Sequence, residues 1–321
     1  TVRNAGRFDG ALGVLLPIAA LHELRRRRVP LPFAVEVVGF SEEEGVRFAS
    51  AYLGSKGYTG QLRPADLSLT DRSGFTLRET LAPRGSRGFR LPNAAHPASH
   101  LLGYVEVHIE QGPVLEQAGL AVGVVSAIAG QTRGSFTLSG RAGHAGTTPM
   151  RERRDALAGA AELILRVETL ARAQAQLVAT VGTLAVQPGA PNVIPAQVSV
   201  SLDLRHPDDV VRRRALRELL SDAQAIARRR RLTAQWQITQ DNNAVRCDPD
   251  LSARLQASVR AIQGRSCSLV SGAGHDAVVM SALTPVSMLF VRCREGLSHR
   301  PDEYAAPADI GVALEVVVDF L

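Results

Sequence analysis

Three consecutive carboxylates, Glu42, Glu43 and Glu44, are the residues of this chain that most clearly suggest chemistry. They follow the apolar run 33–40, whose composition predicts a strand buried in a parallel sheet. Ligands bind at the carboxyl ends of strands in open α/β sheets, and like charges crowded there need a compensating cation. The carboxylates therefore predict a metal site, although a solvated helix start, where glutamate suits the helix dipole, also explains them.

Further candidate ligands lie along the chain, each at or near the end of a predicted strand. Asp9 precedes a helical pattern, and His108 lies in the alternating segment 104–112. His299 follows the apolar strand 286–291. A single histidine of this kind is more often a structural hydrogen-bonding group, but carboxylates and histidines together are the donors that borderline metals such as zinc prefer. The set therefore predicts a metal centre.

The composition excludes several classes of function. The 321 residues suffice for two domains, and a hydrophobic content of 45% is ordinary for a globular protein. The net charge of +6 is carried mainly by arginine, yet the arginine runs 25–28 and 228–231 end helical patterns, and only 4% of residues are aromatic. We therefore expect no nucleic-acid binding, and the apolar runs are too short to span a membrane.

Three cysteines, Cys247, Cys267 and Cys293, are too widely spaced to form a metal-binding motif. An odd, low number of cysteines is typical of a protein from a reducing compartment that has no disulfide framework. We therefore expect a cytoplasmic protein.

Hydrophobic periodicity predicts the elements that must position the candidate ligands. A helix is predicted over 10–28, followed by the strand 33–40, a helix over about 44–54 and a strand over 103–110. From 133 to 240 the order becomes β-α-β-β-α-β, which is the split arrangement of ferredoxin-like domains. An α/β pattern then resumes, so the sequence predicts one domain inserted into another.

Eight short motifs occur in one order along the chain. They are GRFDG (6–10), FSEEEG (40–45), HIEQGPVLE (108–116), GHAGTTPM (143–150), PNVIP (191–195), LDLRHP (202–207), SGAGHDA (271–277) and SHRPDEY (298–304). Together they resemble the motifs of the M20 family of dinuclear metallohydrolases. The resemblance is strongest to the branch of amidases that act on N-carbamoyl compounds, namely allantoate amidohydrolase, N-carbamoyl-L-amino-acid hydrolase and β-ureidopropionase.

The resemblance implies that the chain holds two divalent metal ions, zinc or manganese. Asp9 would bridge the two ions, and Glu44 would bind one of them. His108 and His299 would be further ligands, one on each ion. A histidine at position 108 favours the amidase branch, because many peptidase relatives carry a carboxylate there.

The resemblance also implies two catalytic residues. Glu43 would be the general base that accepts a proton from the attacking water and passes it to the leaving nitrogen. His144, in the inserted segment, would stabilise the tetrahedral oxyanion.

Four residues are expected to bind the substrate, which would be a small anionic ureido compound: Gln111, Asn192, Arg205 and His275. Gln111 would hydrogen-bond the ureido group, and Asn192 lies on a loop stiffened by prolines. Arg205 offers a planar fork for a carboxylate, although a salt bridge at the end of its strand explains this residue on sequence alone equally well.

The domain organisation follows from the same resemblance. Residues 1–130 and 242–321 would form the catalytic domain, an α/β fold whose metallopeptidase-like sheet carries helices on both faces. Residues 131–241 would form an inserted ferredoxin-like α+β domain that acts as a lid and mediates a homodimer. In the family a His-x-Asp segment precedes the pair matching Thr1-Val2, so we expect this chain to lack one metal ligand and the N-terminal part of its catalytic domain.

Three functions are consistent with the sequence. The preferred one is hydrolysis of a C–N bond of allantoate by a metal-activated water, because the run 36–48 is most similar to allantoate amidohydrolases. Hydrolysis of N-carbamoyl-L-amino acids is the alternative. The third is a non-catalytic remnant of the scaffold that dimerises or binds a small molecule, but such a module would have no need of Glu43 as a base.

Overall fold

The computed structural model describes residues 2–82 and 95–321, so Thr1 of the pair named above lies outside the described residues. The chain forms two compact units. The split unit consists of the residues up to Ile128 together with Arg246–Leu321. The inserted unit is the continuous segment Ala129–Val245.

The described chain contains both helices and strands, in the order of their numbering within each type. The helices are α1 (Ala11–Arg27), α2 (Leu53–Tyr58), α3 (Leu77–Leu81), α4 (Val114–Ala118), α5 (Ala156–Ala173), α6 (Asp209–Arg230), α7 (Pro249–Gln263), α8 (Ala277–Met280) and α9 (Pro307–Phe320). The strands are β1 (Tyr104–Ile109), β2 (Val122–Ile128), β3 (Gly130–Ser139), β4 (Gly143–His144), β5 (Val178–Thr180), β6 (Leu184–Gln187), β7 (Val193–Ile194), β8 (Gln197–His206), β9 (Thr233–Asn242), β10 (Val245–Arg246), β11 (Ser268–Ser271) and β12 (Val286–Val291). Within the described residues, none of the helices has the length and apolar character that a membrane span requires.

A mixed five-stranded sheet forms the centre of the split unit. Its strand order is β1-β12-β2-β10, and β11 also pairs with β2. β1 runs parallel to β12, which runs antiparallel to β2. Along β1 the side chains alternate, so Val107 and Ile109 enter the core while Glu106 and His108 lie on the opposite face.

Helices cover both faces of this sheet. Residues of α1, α7 and α9 pack with Val107 and Ile109 in one hydrophobic core. On the other face α8 packs against β1 and β12, and the Ala277 amide donates to Glu106. Each fully buried aliphatic side chain of the core, such as Leu255, stabilises the fold by about 1.5–3 kcal/mol. The predicted α/β class with helices on both faces is therefore confirmed.

Two predicted elements beside the candidate carboxylates are wrong. Residues 33–40 have no regular secondary structure and are exposed or only partly buried, and no strand of the described residues pairs with them. Their apolar composition resembles that of a strand, but a strand needs the ladder hydrogen bonds of a neighbour. The helix predicted over 44–54 begins only at Leu53, because the backbone is left-handed at Gly45 (φ 66°) and Tyr52 (φ 65°).

An antiparallel sheet with two helices on one face forms the inserted unit. Its strand order is β5-β8-β3-β9, and β6 also pairs with β8. Helices α5 and α6 bury Leu163 and Leu219 against Leu138 and Leu204 of the sheet. The chain order β3-α5-β5/β6-β8-α6-β9 is the predicted ferredoxin-like arrangement. The roles of this unit as lid and dimer contact stay predictions.

Aspartates start both helices of the inserted unit. The Asp155 carboxylate accepts hydrogen bonds from the amides of Leu157 and Ala158, and that of Asp208 accepts one from the Val210 amide. Such caps satisfy amides that have no partner within the helix and contribute about 1 kcal/mol each. The starts of α5 and α6 are therefore fixed by local sequence.

Candidate metal centre

Asp9 stands at the centre of a cluster of carboxylates and imidazoles in the split unit. Its buried side chain precedes the Gly10 turn that starts α1. Oδ1 lies 3.2 Å from Nε2 of His108, and Oδ2 lies 3.1 Å from Nε2 of His299. Burial alone would raise the pKa of Asp9, but the hydrogen bond and charge of His108 and the charge of His299 hold it below its usual value. The carboxylate therefore stays ionised and faces one imidazole with each oxygen.

Glu303 fixes the backbone that carries Asp9. Its Oε1 accepts hydrogen bonds from the amides of Phe8 (3.0 Å) and Asp9 (2.9 Å). Its Oε2 accepts a hydrogen bond from the Ser298 hydroxyl at 2.9 Å. One buried carboxylate therefore holds together the two chain segments that carry Asp9 and His299.

His108 reaches Asp9 from the carboxyl end of β1. Its Nδ1 donates to the carbonyl of Ile109 at 2.8 Å, which leaves Nε2 to face Asp9. Burial would lower the pKa of His108, but the hydrogen bond to Asp9 and the charge of Glu106 raise it to about 9. The imidazole is thus held with one defined nitrogen toward the cluster.

The three consecutive glutamates have different surroundings. Glu42 shapes the loop, since its backbone is left-handed (φ 56°) and its Oε2 accepts hydrogen bonds from the amides of Arg47 (3.0 Å) and Phe48 (3.1 Å). Oε1 of Glu44 lies 3.1 Å from Nε2 of His299. For Glu43, burial and then the charge of Glu44 raise the pKa to about 8. Only the last two glutamates therefore belong to the cluster.

His299 and Gln111 approach Asp9 from two loops and both have left-handed backbones, with φ of 59° and 56°. Such conformations cost of order 1–3 kcal/mol in a non-glycine residue and are concentrated at functional sites. Nε2 of Gln111 donates to the Ser298 hydroxyl at 3.1 Å and to Oδ2 of Asp9 at 3.4 Å. The predicted substrate ligand Gln111 therefore lies beside the candidate metal ligands.

A buried carboxylate on the same face of β1 lies behind His108. Oε2 of Glu106 accepts hydrogen bonds from the Tyr104 hydroxyl at 3.0 Å and from the Ala277 amide at 2.9 Å. Burial raises the pKa of Glu106 to about 7, and burial also raises the pKa of nearby Asp276 to about 6. This part of the split unit is therefore rich in carboxyl groups that hold their protons tightly.

His275, a predicted substrate ligand, packs behind His108. It is 2% exposed, its ring centroid lies 4.6 Å from that of His108, and its Nε2 lies 2.7 Å from the Ser271 hydroxyl. Burial lowers the pKa of His275 well below its usual value, so the ring is neutral at pH 7. In this position it supports His108, and contact between His275 and a substrate stays a prediction.

The donors around Asp9 suit a metal ion. In the parts of the chain that the structure describes, Asp9, Glu44 and His299 form the group whose ligating atoms all lie within 4.8 Å of one another. Carboxylate oxygen combined with imidazole nitrogen is a donor set for zinc or manganese. The other oxygen of Asp9 faces His108, which is the arrangement of a bridging carboxylate. The structure thus brings the four predicted metal ligands together.

His144 and Asn192 belong to the inserted unit. His144 is exposed on β4, and its Nδ1 accepts a hydrogen bond from the Gly146 amide at 3.0 Å. The carbonyl of Asn192 accepts a hydrogen bond from the Ala145 amide at 2.9 Å. The two predicted residues are therefore neighbours within this unit, and their roles with a substrate stay predictions.

Arg205 is held by an ion pair on β8 of the inserted unit. Its Nε lies 2.8 Å from Oδ1 of Asp203, and its Nη2 lies 2.9 Å from Oδ2. The salt bridge that the sequence left open is therefore present. It does not exclude substrate binding by Arg205, which stays a prediction.

Sequence reasoning missed Glu303, Ser298 and Glu106. The first two flank His299 in the motif SHRPDEY, but Glu303 acts on amides 295 residues away in the chain, and no local pattern reveals such a contact. Glu106 had a usable signal, because it lies two residues before His108 and therefore on the same face of the strand.

Comparison with known proteins gives concordant matches. The model of the family described as peptidase family M20/M25/M40 matches residues 2–321. Allantoate deiminase from Arabidopsis thaliana is 40% identical over 352 residues, which cover all of this chain and 67% of that protein. N-carbamoyl-L-amino acid amidohydrolase from Geobacillus stearothermophilus is 39% identical over 317 residues, covering 99% of this chain and 78% of that protein. A solved amidase of the hydantoinase/carbamoylase family from Burkholderia multivorans has a TM-score of 0.91 and 35% identity, over 99% of this chain and 77% of that one.

Proposed function

We propose, because this chain belongs to the peptidase family M20/M25/M40, that it is a metal-dependent amidohydrolase that cleaves a C–N bond of a small ureido acid. Allantoate is the proposed substrate, and N-carbamoyl-L-amino acids are the alternative. Relatives named for each of these substrates have nearly the same identity to this chain, 40% and 39%, so identity does not separate the two.

The observation that carries the proposal is the convergence of three predicted ligands on a fourth, the carboxylate of Asp9. Asp9 lies near the start of the chain and His299 near its end, yet their ligating atoms meet at 3.1 Å. Glu44 joins them from the glutamate loop, and His108 faces the other oxygen of Asp9. A chance meeting of four such groups is a weaker explanation than a shared function.

Two divalent cations, zinc or manganese, suit these donors. Asp9 would bridge them, His108 would bind one, and Glu44 and His299 would bind the other. When bound, the ions supply a Lewis acid for the ureido carbonyl and lower the pKa of water.

Glu43 would carry the proton transfers. It accepts a proton from the water that attacks the ureido carbon and gives it to the leaving nitrogen, so that the C–N bond breaks and ammonia is released. Burial and the neighbouring carboxylate make Glu43 a stronger base than an exposed glutamate, with a pKa of about 8. Cations at the adjacent ligands would bring that pKa down toward neutrality, where a general base is most effective.

The remaining predicted residues would hold the substrate. Gln111 already lies against Asp9 and would position the ureido group. His144 would donate to the oxyanion, and Asn192 and Arg205 would bind the polar groups and the carboxylate of the substrate.

Ammonia release tests this proposal. The protein, supplied with Mn²⁺ or Zn²⁺, is assayed with allantoate and with a series of N-carbamoyl-L-amino acids. We expect the larger kcat/KM for allantoate, whereas a larger value for an N-carbamoyl-L-amino acid would favour the alternative substrate. Absence of ammonia from both, with either metal bound, would contradict the proposed function.

We also propose that the enzyme is a cytoplasmic homodimer. β9 ends the strand order of the inserted sheet, and edge strands pair readily with another chain. Cys247, Cys267 and Cys293 are free thiols, which suits a reducing compartment. Light scattering during size-exclusion chromatography should give twice the chain mass of 34.3 kDa, and a monomer mass would contradict the dimer.

A further inference from the structure

The two faces of β8 in the inserted unit differ sharply. Val200, Leu202 and Leu204 pack into the core with α5 and α6. Asp203 and Arg205 alternate with these residues and therefore lie on the opposite face of the sheet, where the helices do not pack. A pair of charged residues on that face has no role in the hydrophobic core.

Asp203 collects hydrogen bonds from three neighbouring side chains. Arg205 contacts both of its oxygens, through Nε at 2.8 Å and Nη2 at 2.9 Å. From β3, Nε of Arg133 donates to Oδ2 at 2.8 Å and Nε2 of Gln131 donates to the same atom at 3.0 Å. The register explains this, since Arg133 lies opposite Asp203 and Gln131 lies opposite Arg205.

The charges of this network do not cancel. Arg133 and Arg205 contribute two positive charges, and Asp203 contributes one negative charge. Burial would raise the pKa of Asp203, but the hydrogen bonds from Arg205 and Arg133 lower it to about 2. The network therefore keeps a net charge of +1 at neutral pH, which suits a substrate that carries one carboxylate.

We propose that Asp203 is the positioning residue of Arg205: its two-point contact holds the guanidinium plane in one orientation toward a substrate carboxylate. The inference rests on the proposed function, in which Arg205 binds that carboxylate. A free arginine side chain loses conformational freedom when it binds, and an arginine already held by Asp203 has less to lose.

Removal of Asp203 has two opposed consequences, and this makes the proposal testable. Loss of the negative charge raises the net charge of the network from +1 to +2, which on its own would tighten the binding of an anionic substrate. Loss of the two-point contact frees the guanidinium, which would weaken binding. The direction of the change in KM therefore decides between a positioning role and a purely electrostatic one.

The experiment compares Asp203→Asn with the unmodified enzyme loaded with Mn²⁺. We expect KM for the better of the two ureido substrates to rise about 3–10-fold, as for one side chain that must be newly ordered, while kcat stays nearly constant. Asp222→Asn is the matched control, because Asp222 pairs with Nε of Arg166 between α5 and α6 in the same unit. Its KM should equal that of the unmodified enzyme.

A binding measurement gives a second readout without turnover. Calorimetry on the Mn²⁺-loaded protein carrying Glu43→Gln, which removes the proposed base, compares an N-carbamoyl-L-amino acid with its carboxamide, which lacks the negative charge. Asp203→Asn should weaken the binding of the acid and leave that of the carboxamide unchanged. If the asparagine variant does not fold, as judged by circular dichroism, Asp203→Ser is used in its place.

The outcomes separate this inference from the function on which it rests. If Arg205→Lys raises KM while Asp203→Asn leaves it unchanged or lowers it, Arg205 binds substrate but Asp203 does not position it, and the inference is wrong. If Arg205→Lys leaves KM unchanged, Arg205 does not bind the carboxylate. Both the proposed role of Arg205 and the positioning role of Asp203 are then wrong. An increase for both variants, with neither affecting the carboxamide, supports the inference.

Discussion

Three carboxyl groups near Asp9 in the split unit and two aspartates of the inserted unit have pKa values shifted in opposite directions. In the split unit Glu43 and Glu106 are partly buried and Asp276 is buried, all near other carboxylates, and their pKa values rise to about 8, 7 and 6. In the inserted unit burial would also raise the pKa values of Asp203 and Asp241, but arginine partners lower them, that of Asp203 to about 2. Carboxyl groups of the same chain thus have pKa values shifted in opposite directions.

The difference shows where positive charge is still required. Arginines of the inserted unit neutralise Asp203 and Asp241, whereas among the described residues the ion-pair partners of Asp9 are the histidines His108 and His299. Cations bound at Asp9 and Glu44 would stabilise the ionised carboxylates of the split unit, as the arginines stabilise those of the inserted unit. The comparison therefore predicts that charge-altering substitutions affect catalysis and metal binding in one unit and stability in the other.

The largest effect is expected for Glu43→Gln in the split unit. Without the base, kcat should fall by about 10²–10⁴, while the metal content measured by mass spectrometry should not change. Glu42→Gln is the matched control, because its amide oxygen can still accept hydrogen bonds from the amides of Arg47 and Phe48. Equal losses of kcat in both variants would show that loop shape matters and that Glu43 is not the base.

In the inserted unit the largest expected effect is on stability, for Arg212→Ala. Arg212 is fully buried and contacts Asp209 at 2.8 Å as well as Asp241 and Thr132. Its removal should lower the free energy of unfolding by about 3 kcal/mol, the low end for such pairs, since both aspartates are partly exposed. Arg166 is partly exposed, so Arg166→Ala should lower the free energy of unfolding by only about 0–1 kcal/mol in the same denaturant titration. A loss of metal affinity in Arg212→Ala would contradict the expectation that charge-altering substitutions in the inserted unit affect stability and not metal binding.

A smaller effect is expected for Glu303→Gln. The glutamine side chain has a single oxygen, which cannot accept hydrogen bonds from the amides of Phe8 and Asp9 and from the Ser298 hydroxyl as the two oxygens of Glu303 do. The segment that carries Asp9 is therefore held less firmly. Metal affinity, measured by competition with a chromogenic chelator, should fall about 10–100-fold. Glu315→Gln, which removes an exposed partner of Arg27, should leave it unchanged. Normal affinity in Glu303→Gln would mean that the orientation of Asp9 does not depend on Glu303.

A further expected effect is a pH dependence of the stability of the metal-free protein. Glu43, Glu106 and His108 have folded-state pKa values raised to about 8, 7 and 9, so the native state retains protons that the unfolded chain releases. The contribution of these groups to stability is therefore fully present below pH 4.5 for the two glutamates and below pH 6.5 for His108, and it is lost as pH rises to about 9. We expect the melting temperature to drop by about 2–4 °C for each kcal/mol lost, and bound Zn²⁺ to remove the drop. A flat profile in the metal-free protein would contradict the perturbed pKa values.

The inserted unit was the easier one to predict. Helices α5 and α6 have continuous amphipathic patterns and local aspartate caps, so their existence and order follow from neighbouring residues alone. The ferredoxin-like arrangement follows from that order. The ion pair of Arg205 was also foreseen as an alternative, but its partner Asp203 could be identified only from the strand alternation seen in the structure.

In the split unit the sequence predicted which candidate ligands lie close together, but it predicted the loops poorly. The motifs identified Asp9, Glu44, His108 and His299, because resemblance to a family does not depend on local periodicity. The shape of the glutamate loop depends on hydrogen bonds that Glu42 accepts from the amides of Arg47 and Phe48, and hydrophobic patterns do not encode such bonds. For the same reason the periodicity placed a helix where the chain turns through positive φ.

The contacts of Glu303 have a consequence for the order of events during synthesis. The amides of Phe8 and Asp9 leave the ribosome early, but the carboxylate that holds them follows 295 residues later. The uninterrupted segment Ala129–Val245 can fold in the meantime, since domains generally fold as units while the chain is still growing. A nascent chain that has not yet reached residue 303 would therefore carry a folded inserted unit but would lack the carboxylate that holds the segment of Asp9.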